Sequence, residues 1–128
     1  MTIEEQIDQS ETHIFKVVFP NTTNHHNTMF GGQVLLMMTE TAFMTATRFS
    51  RKSFVVVSSD RIDFRKPIPA GTLVELIGRV EQLGTTSIRI AVKVYLEKMN
   101  EAGREEVVQG KFTLVALDSD GKPIKILN

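Results

Sequence analysis

Between Phe30 and Thr47 the sequence carries a single charged residue, Glu40. Within and just beyond this stretch Val34, Leu35, Met38, Ala42, Ala46 and Phe49 recur at spacings of three and four, the period of a helix with one buried face. Met37, Phe43 and Met44 lie off that stripe. A helix that is apolar nearly all round must be enclosed on most sides, so the rest of the chain is expected to wrap it. Arg48, Arg51 and Lys52 near its end suit the negative end of its dipole.

Around this helix the apolar period drops to two. Ile14 to Phe19 is rich in β-branched and aromatic residues and stops at Pro20, which predicts a first strand. A polar, turn-forming loop from Asn21 to Thr28 leads into the helix. After it, Phe54 to Val57 runs toward Ile62 and Phe64, and Leu73 to Leu83 follows. Ile88, Ile90, Val92, Val94 and Leu96 then alternate with Arg89, Lys93 and Glu97, the clearest strand in the chain. Asn100 to Gly103 reads as a hairpin turn before Val107 to Leu117, and Asp118 to Gly121 ends the last strand. Residues 1 to about 10 are polar and expected to be ordered only by contacts with the rest. No repeat or linker divides the interior, so residues 1–128 are read as one unit. Strand, long helix and four closely connected strands predict an α+β fold, a curved, mainly antiparallel sheet around one helix: the hot-dog fold. Two such units joined edge to edge would protect the sheet edges and build a site between them.

Fifteen Lys plus Arg balance 15 Asp plus Glu, for a net charge of zero. That argues against a nucleic-acid or anionic-membrane partner. The absence of Cys excludes a disulfide framework, a thiolate nucleophile and cysteine-ligated zinc. Met1-Thr2-Ile3-Glu4-Glu5 is acidic where a signal peptide is basic, and the apolar run Val34 to Met38 is far short of a membrane span. A cytoplasmic protein is expected.

Gly31 and Gly32 open the helix. Glycines there leave backbone N–H groups uncovered at the positive end of the dipole, able to hold a developing oxyanion, or they simply permit a tight turn out of the loop. Glu40, if buried, would have a raised pKa and suit general-base work; alternatively it bonds a neighbouring subunit's backbone or finds a wet edge. Asn24 can orient a water or donate to a carbonyl, or form a turn. His25 and His26 are adjacent, so their side chains rarely converge on one ion, and no metal site is expected. The pairs Arg51–Lys52 and Arg65–Lys66 can meet a phosphate or be plain solvated surface.

Asn24-His25-His26-Asn27-Thr28-Met29-Phe30-Gly31-Gly32, the helix segment Met38-Thr39-Glu40-Thr41-Ala42, Ser58-Ser59-Asp60-Arg61-Ile62-Asp63-Phe64 and Lys66-Pro67-Ile68 together resemble the bacterial acyl-CoA thioesterase (acyl-CoA hydrolase) family of hot-dog proteins. The likeness extends over roughly residues 13 to 126. It implies hydrolysis of a fatty acyl-CoA to free acid and CoA, with CoA as part of the substrate and no separate cofactor. It also implies a site shared by two subunits of a homo-hexamer built as a trimer of dimers. The family's loop asparagine is matched by Asn24 and its second glycine by Gly32. The family's catalytic Asp falls at Thr39, and Val56 stands where the family often has Thr. A threonine hydroxyl is not a base at neutral pH. Glu40 or Asp60 is then the substitute base, or the chain is an acyl-CoA-binding or regulatory protein that has lost turnover. Phe30, Gly31, Ser59, Asp60 and the two basic pairs are the candidate substrate contacts.

Overall fold

The chain runs α1 (Ile3–Ser10), β1 (Thr12–Val17), α2 (Gly31–Ser50), β2 (Ser53–Phe64), β3 (Thr72–Leu83), β4 (Ser87–Lys98) and β5 (Glu105–Leu117). The computed structural model describes residues 1–20 and 23–128; Asn21 and Thr22 of the expected loop lie outside the described residues. The strands form one sheet in the order β1-β3-β4-β5-β2, with every pairing antiparallel. The most regularly alternating strand, β4, lies at its centre. Its Ile88, Ile90, Val92 and Val94 are fully buried toward α2 beside Leu76, Phe112 and Leu114, each contributing about 1.5–3 kcal/mol of apolar burial. A curved antiparallel sheet against one long helix is the hot-dog arrangement.

Helix and sheet approach closely because two strands lack side chains where they cross. A Cβ on Gly78 of β3 would run into Thr45 Oγ1 and touch Thr41 Cγ2 at 3.0 Å. One on Gly110 of β5 would run into Ile62 and meet Met38 at 3.1 Å. Thr41 and Thr45 are polar yet buried, because each hydroxyl donates 2.8 Å back to the carbonyl four residues earlier, Met37 and Thr41 respectively.

Three expectations change. The sheet covers one side of α2, not most of it. The buried stripe is Val34, Met37, Met38, Thr41, Ala42, Thr45, Ala46 and Phe49, so Met37 is core and Leu35 is not. Leu35, Leu36, Phe43 and Met44 lie exposed on the opposite side. Residues 3–10 form a helix of their own, started by a capping box in which Thr2 Oγ1 accepts from Glu5 N–H and Glu5 accepts from Thr2 N–H. Arg48, in the last turn of α2 as expected, also serves that helix. Its guanidinium donates to the carbonyls of Gln9, Ser10 and Glu11 and to Thr12 Oγ1, holding the last turn of α1 against α2. Finally, β2 continues through polar Ser58 to Arg61 as the outer strand, with Val55, Val56, Val57 and Phe64 uncovered.

Candidate active site

The start of α2 presents unsatisfied donors. Its N-cap, Phe30, supplies no side-chain hydrogen bond, and no acidic residue lies in the first turn. The first backbone bonds run from Gln33 and Val34 to Phe30 O, so the N–H groups of Gly31 and Gly32 have no partner among the described residues. A Cβ on Gly32 would meet nothing within 4 Å; one on Gly31 would stand 3.7 Å from the Phe64 ring. Phe64 thus walls the helix start, a contact between distant residues that sequence spacing could not signal. Beside it Gly31, Met29, Val34, Arg65 and Ile68 help line a cavity of about 290 Å³.

Asn24 sits in the loop that feeds this turn. Its Oδ1 accepts from His26 N–H at 2.9 Å, Thr28 N–H at 3.2 Å and Thr28 Oγ1 at 3.1 Å. The loop is pinned to the β2–β3 connection by Met29 N–H to Ile68 O and Ala70 N–H to Asn27 O. Asn24 is therefore a turn former through its oxygen, which leaves its Nδ2 amide without an acceptor among the described residues.

Farther along α2, Thr39, Glu40, Phe43 and Met44 join Val56 of β2 around a mostly apolar cavity of about 330 Å³. Thr39 Oγ1 donates to Leu35 O at 2.8 Å. Of the alternatives left open for Glu40, a single chain shows the wet edge: it is exposed, because the sheet lies on the other side of α2. It makes no ion pair with a described residue. Eight residues separate Gly32 from Glu40, about 12 Å along the axis and about 80° round it, while Thr39 lies within about 20° of the Gly32 azimuth. The amides and the carboxylate are all exposed on α2, about two turns apart.

The other candidates do not gather there. Asp60 lies on the outer side of the sheet, where Arg89 holds it at 2.9 Å. Ser59, its neighbour on β2, pairs with Phe112 of β5 and is exposed. Arg51, the left-handed C-cap of α2, and Lys52, which donates to Asn128 Oδ1, stand at the far end of a helix about 30 Å long. Arg65 and Lys66 lie near its start, but each is paired, with Glu106 and Glu105 respectively. The His25 and His26 rings lie against each other, tilted by 44° with centroids 3.9 Å apart. Among the described residues no group of three His, Cys, Asp or Glu side chains converges as a metal site.

The profile of the thioesterase superfamily matches residues 26–102, the span from the Asn24 loop through α2 to the β4–β5 hairpin. The chain belongs to the thioesterase superfamily. Within it, the chain is 40% identical over 109 residues to the uncharacterized acyl-CoA thioester hydrolase YkhA of Bacillus subtilis, covering 85% of this chain and 63% of that one. An acyl-CoA hydrolase from Staphylococcus aureus, solved with butyryl-CoA, CoA and CoA disulfide, superposes with a TM-score of 0.89 at 33% identity, covering 93% of this chain and 73% of that one. A hexameric acyl-CoA thioesterase gives 0.89 at 34% identity, over 93% and 76%. Solved variants of the Staphylococcus hydrolase replace an asparagine, an aspartate and a threonine by alanine, at the same two intervals that separate Asn24, Thr39 and Val56 here. Thr39 and Val56 both line the cavity that holds Glu40. No helix among the described residues is long and apolar enough to cross a membrane.

Proposed function

We propose that the protein hydrolyses acyl-CoA thioesters to a free fatty acid and CoA, in the cytoplasm, at a site shared by two copies of the chain. The observation that carries this reading is the pair of unpaired amides at the start of α2 and the exposed, unpaired carboxylate two turns further along it. A reacting carbonyl needs its donors and its water within roughly 3 Å, and about 12 Å along the helix separates the two groups in one chain. Antiparallel apposition of two α2 helices about a two-fold axis brings each Gly32 to Glu40 of the partner subunit. The uncovered edge of β2 and exposed Phe43 and Met44 supply apolar surface for that pairing, and three such dimers form a hexamer.

In the reaction, Glu40 of the partner subunit takes a proton from water as the water oxygen bonds to the thioester carbon. Negative charge gathering on the carbonyl oxygen is held by the Gly32 N–H at the positive end of α2. Asn24 Nδ2 donates to the carbonyl or orients the water. The carbon–sulfur bond then breaks, and the proton held by Glu40 passes to the CoA sulfur. Thr39 carries no base and its hydroxyl is occupied by Leu35 O. Phe43, Met44 and Val56 receive the first carbons of the acyl chain. Arg65 and Lys66 reach CoA phosphates only by leaving their glutamates. No cofactor is used, because chain and water carry every proton.

A second reading, an acyl-CoA binder without turnover, rests on Thr39 alone. Free-thiol release across a series of acyl-CoA chain lengths separates them. Hydrolysis is expected at one or more lengths; tight CoA binding with no release at any length would leave the binder.

A further inference from the structure

The sheet has a second concave feature, on the side away from α2 and from the groups used above. There His13 of β1, Arg79 of β3, Lys93 of β4, Lys111 of β5 and Arg104 of the β4–β5 hairpin border a cavity of about 730 Å³. Its floor is Ile77, Ala91 and Tyr95. Glu11 and Glu81 also line it. Asp8, Glu11, Glu75 and Glu81 stand against these cations, so the groove is defined by how the charges are placed and not by a cationic excess.

Most of these cations are held in place. Glu75, only 7% exposed on what is otherwise the solvent side of β3, accepts from Arg104 Nη1 at 2.5 Å and bonds His13 Nδ1 at 2.8 Å. Arg104 is thereby laid over the Tyr95 ring, 4.1 Å from its centroid, with guanidinium donors to spare. Arg79 is braced by Asp8 at 2.9 Å, and Lys111 by Glu81. The hydrogen bond to Glu75 is the main cause that raises the pKa of His13 above its ordinary value. Lys93, at the centre, differs: its cross-strand neighbours are Ile77 and Gln109, and it forms no ion pair with a described residue. A buried carboxylate that fixes a guanidinium over a ring, beside an unpaired lysine and an apolar floor, is the arrangement of a preorganised anion site.

The geometry points to this groove as a second binding site, for a ligand in which a diphosphate is joined to a flat ring system, a nucleoside diphosphate. Arg79, Lys93 and Lys111 stand on successive strands β3, β4 and β5, so they spread over about 10 Å. One phosphate cannot serve all three, whereas a diphosphate can, and Ile77, Ala91 and Tyr95 leave a surface for the ring. The same chemistry is present in a free nucleotide and in the 3′-phospho-ADP end of CoA. The inference rests on the groove alone and stands apart from the hydrolysis reading.

Isothermal titration of the whole protein with ADP, inorganic pyrophosphate and CoA tests it. ADP is expected to bind more tightly than pyrophosphate. Lys93→Glu and Arg104→Ala should each weaken ADP at least tenfold while melting near the wild-type temperature, since Lys93 is exposed and the anchor Glu75 keeps His13. Competition between ADP and CoA, lost in Lys93→Glu, would identify the source as CoA; ADP binding untouched by CoA would identify a free nucleotide. The proposal falls if the wild type binds neither ADP nor pyrophosphate, or if both variants bind ADP as it does. It falls as well if ADP is inert and Lys93→Glu alters the mass in light scattering, which would make the face a contact between copies.

Discussion

Two pairs of glycines in this molecule, one on the strands and one at the start of α2, differ in purpose. Gly78 and Gly110 face α2 across the core, and a Cβ on either would strike Thr45 or Ile62. At the start of α2, a Cβ on Gly32 would strike nothing and one on Gly31 would make only ordinary contact with Phe64. The inner pair is demanded by the chain's own packing. The outer pair is not, although glycine inside a helix costs about 0.5–1 kcal/mol relative to alanine. The proposed function gives the outer pair its reason: a carbonyl approaching from outside the chain. The faces of α2 repeat the contrast: one stripe is filled by the sheet, and the other, with Thr39, Glu40, Phe43 and Met44, is left open.

Substitutions can break that contrast. The largest effect is expected from Glu40→Gln on the open face, a loss of about 10²–10⁴ in thiol release with an unchanged melting temperature, because it removes a base and keeps the shape. An active Glu40→Gln would move the base elsewhere. Next, Gly78→Val should destabilise by about 1–3 kcal/mol in denaturant titration through overpacking against Thr41 and Thr45. A wild-type midpoint would mean that helix and sheet are not held as closely as described. Gly32→Ala should do the opposite, stabilising by up to about 1 kcal/mol while slowing thiol release as the methyl crowds the carbonyl. If it melts early, Gly32 belongs with the inner pair.

The smallest effect concerns pH. His13 has its pKa raised, mainly by its bond to Glu75, so its contribution is complete below the unfolded value near 6.5 and disappears as pH rises through the folded value. Wild-type stability should therefore decline relative to His13→Gln as pH climbs above about 6.5. Parallel curves would remove the His13–Glu75 bond from the stability of the outer face.

How much of this could be read from the sequence depended on whether a residue's partner lay nearby in the chain. The long helix and strands β3 to β5 showed in their periods, and the Asn24 loop and Gly31–Gly32 showed as a motif. The faces of α2 did not, because apolar residues occupy both and period alone cannot say which meets the sheet; hence Leu35 and Met37 exchanged places. Thr41 and Thr45 read as polar, since the backbone bonds that let them be buried form only in the helix. The short α1 carried its signal, Thr2 followed three residues later by Glu5, but too few apolar residues to suggest a helix by period. Asp60, Arg65 and Lys66 looked free because Arg89, Glu106 and Glu105, which hold them, are about 30 to 40 residues away in the chain.

The central claim, one site built from two chains, is tested by complementation. Asn24→Asp keeps the oxygen that organises its loop and removes the Nδ2 donor; Glu40→Gln removes the base. Each alone should be inactive. Co-expressed and randomly paired, half the dimers are mixed and each mixed dimer holds one intact site, so about a quarter of wild-type thiol release should return. A mixture that stays as inactive as its parents, with mixed dimers confirmed by mass, would contradict the account and place the donor and the base within a single chain.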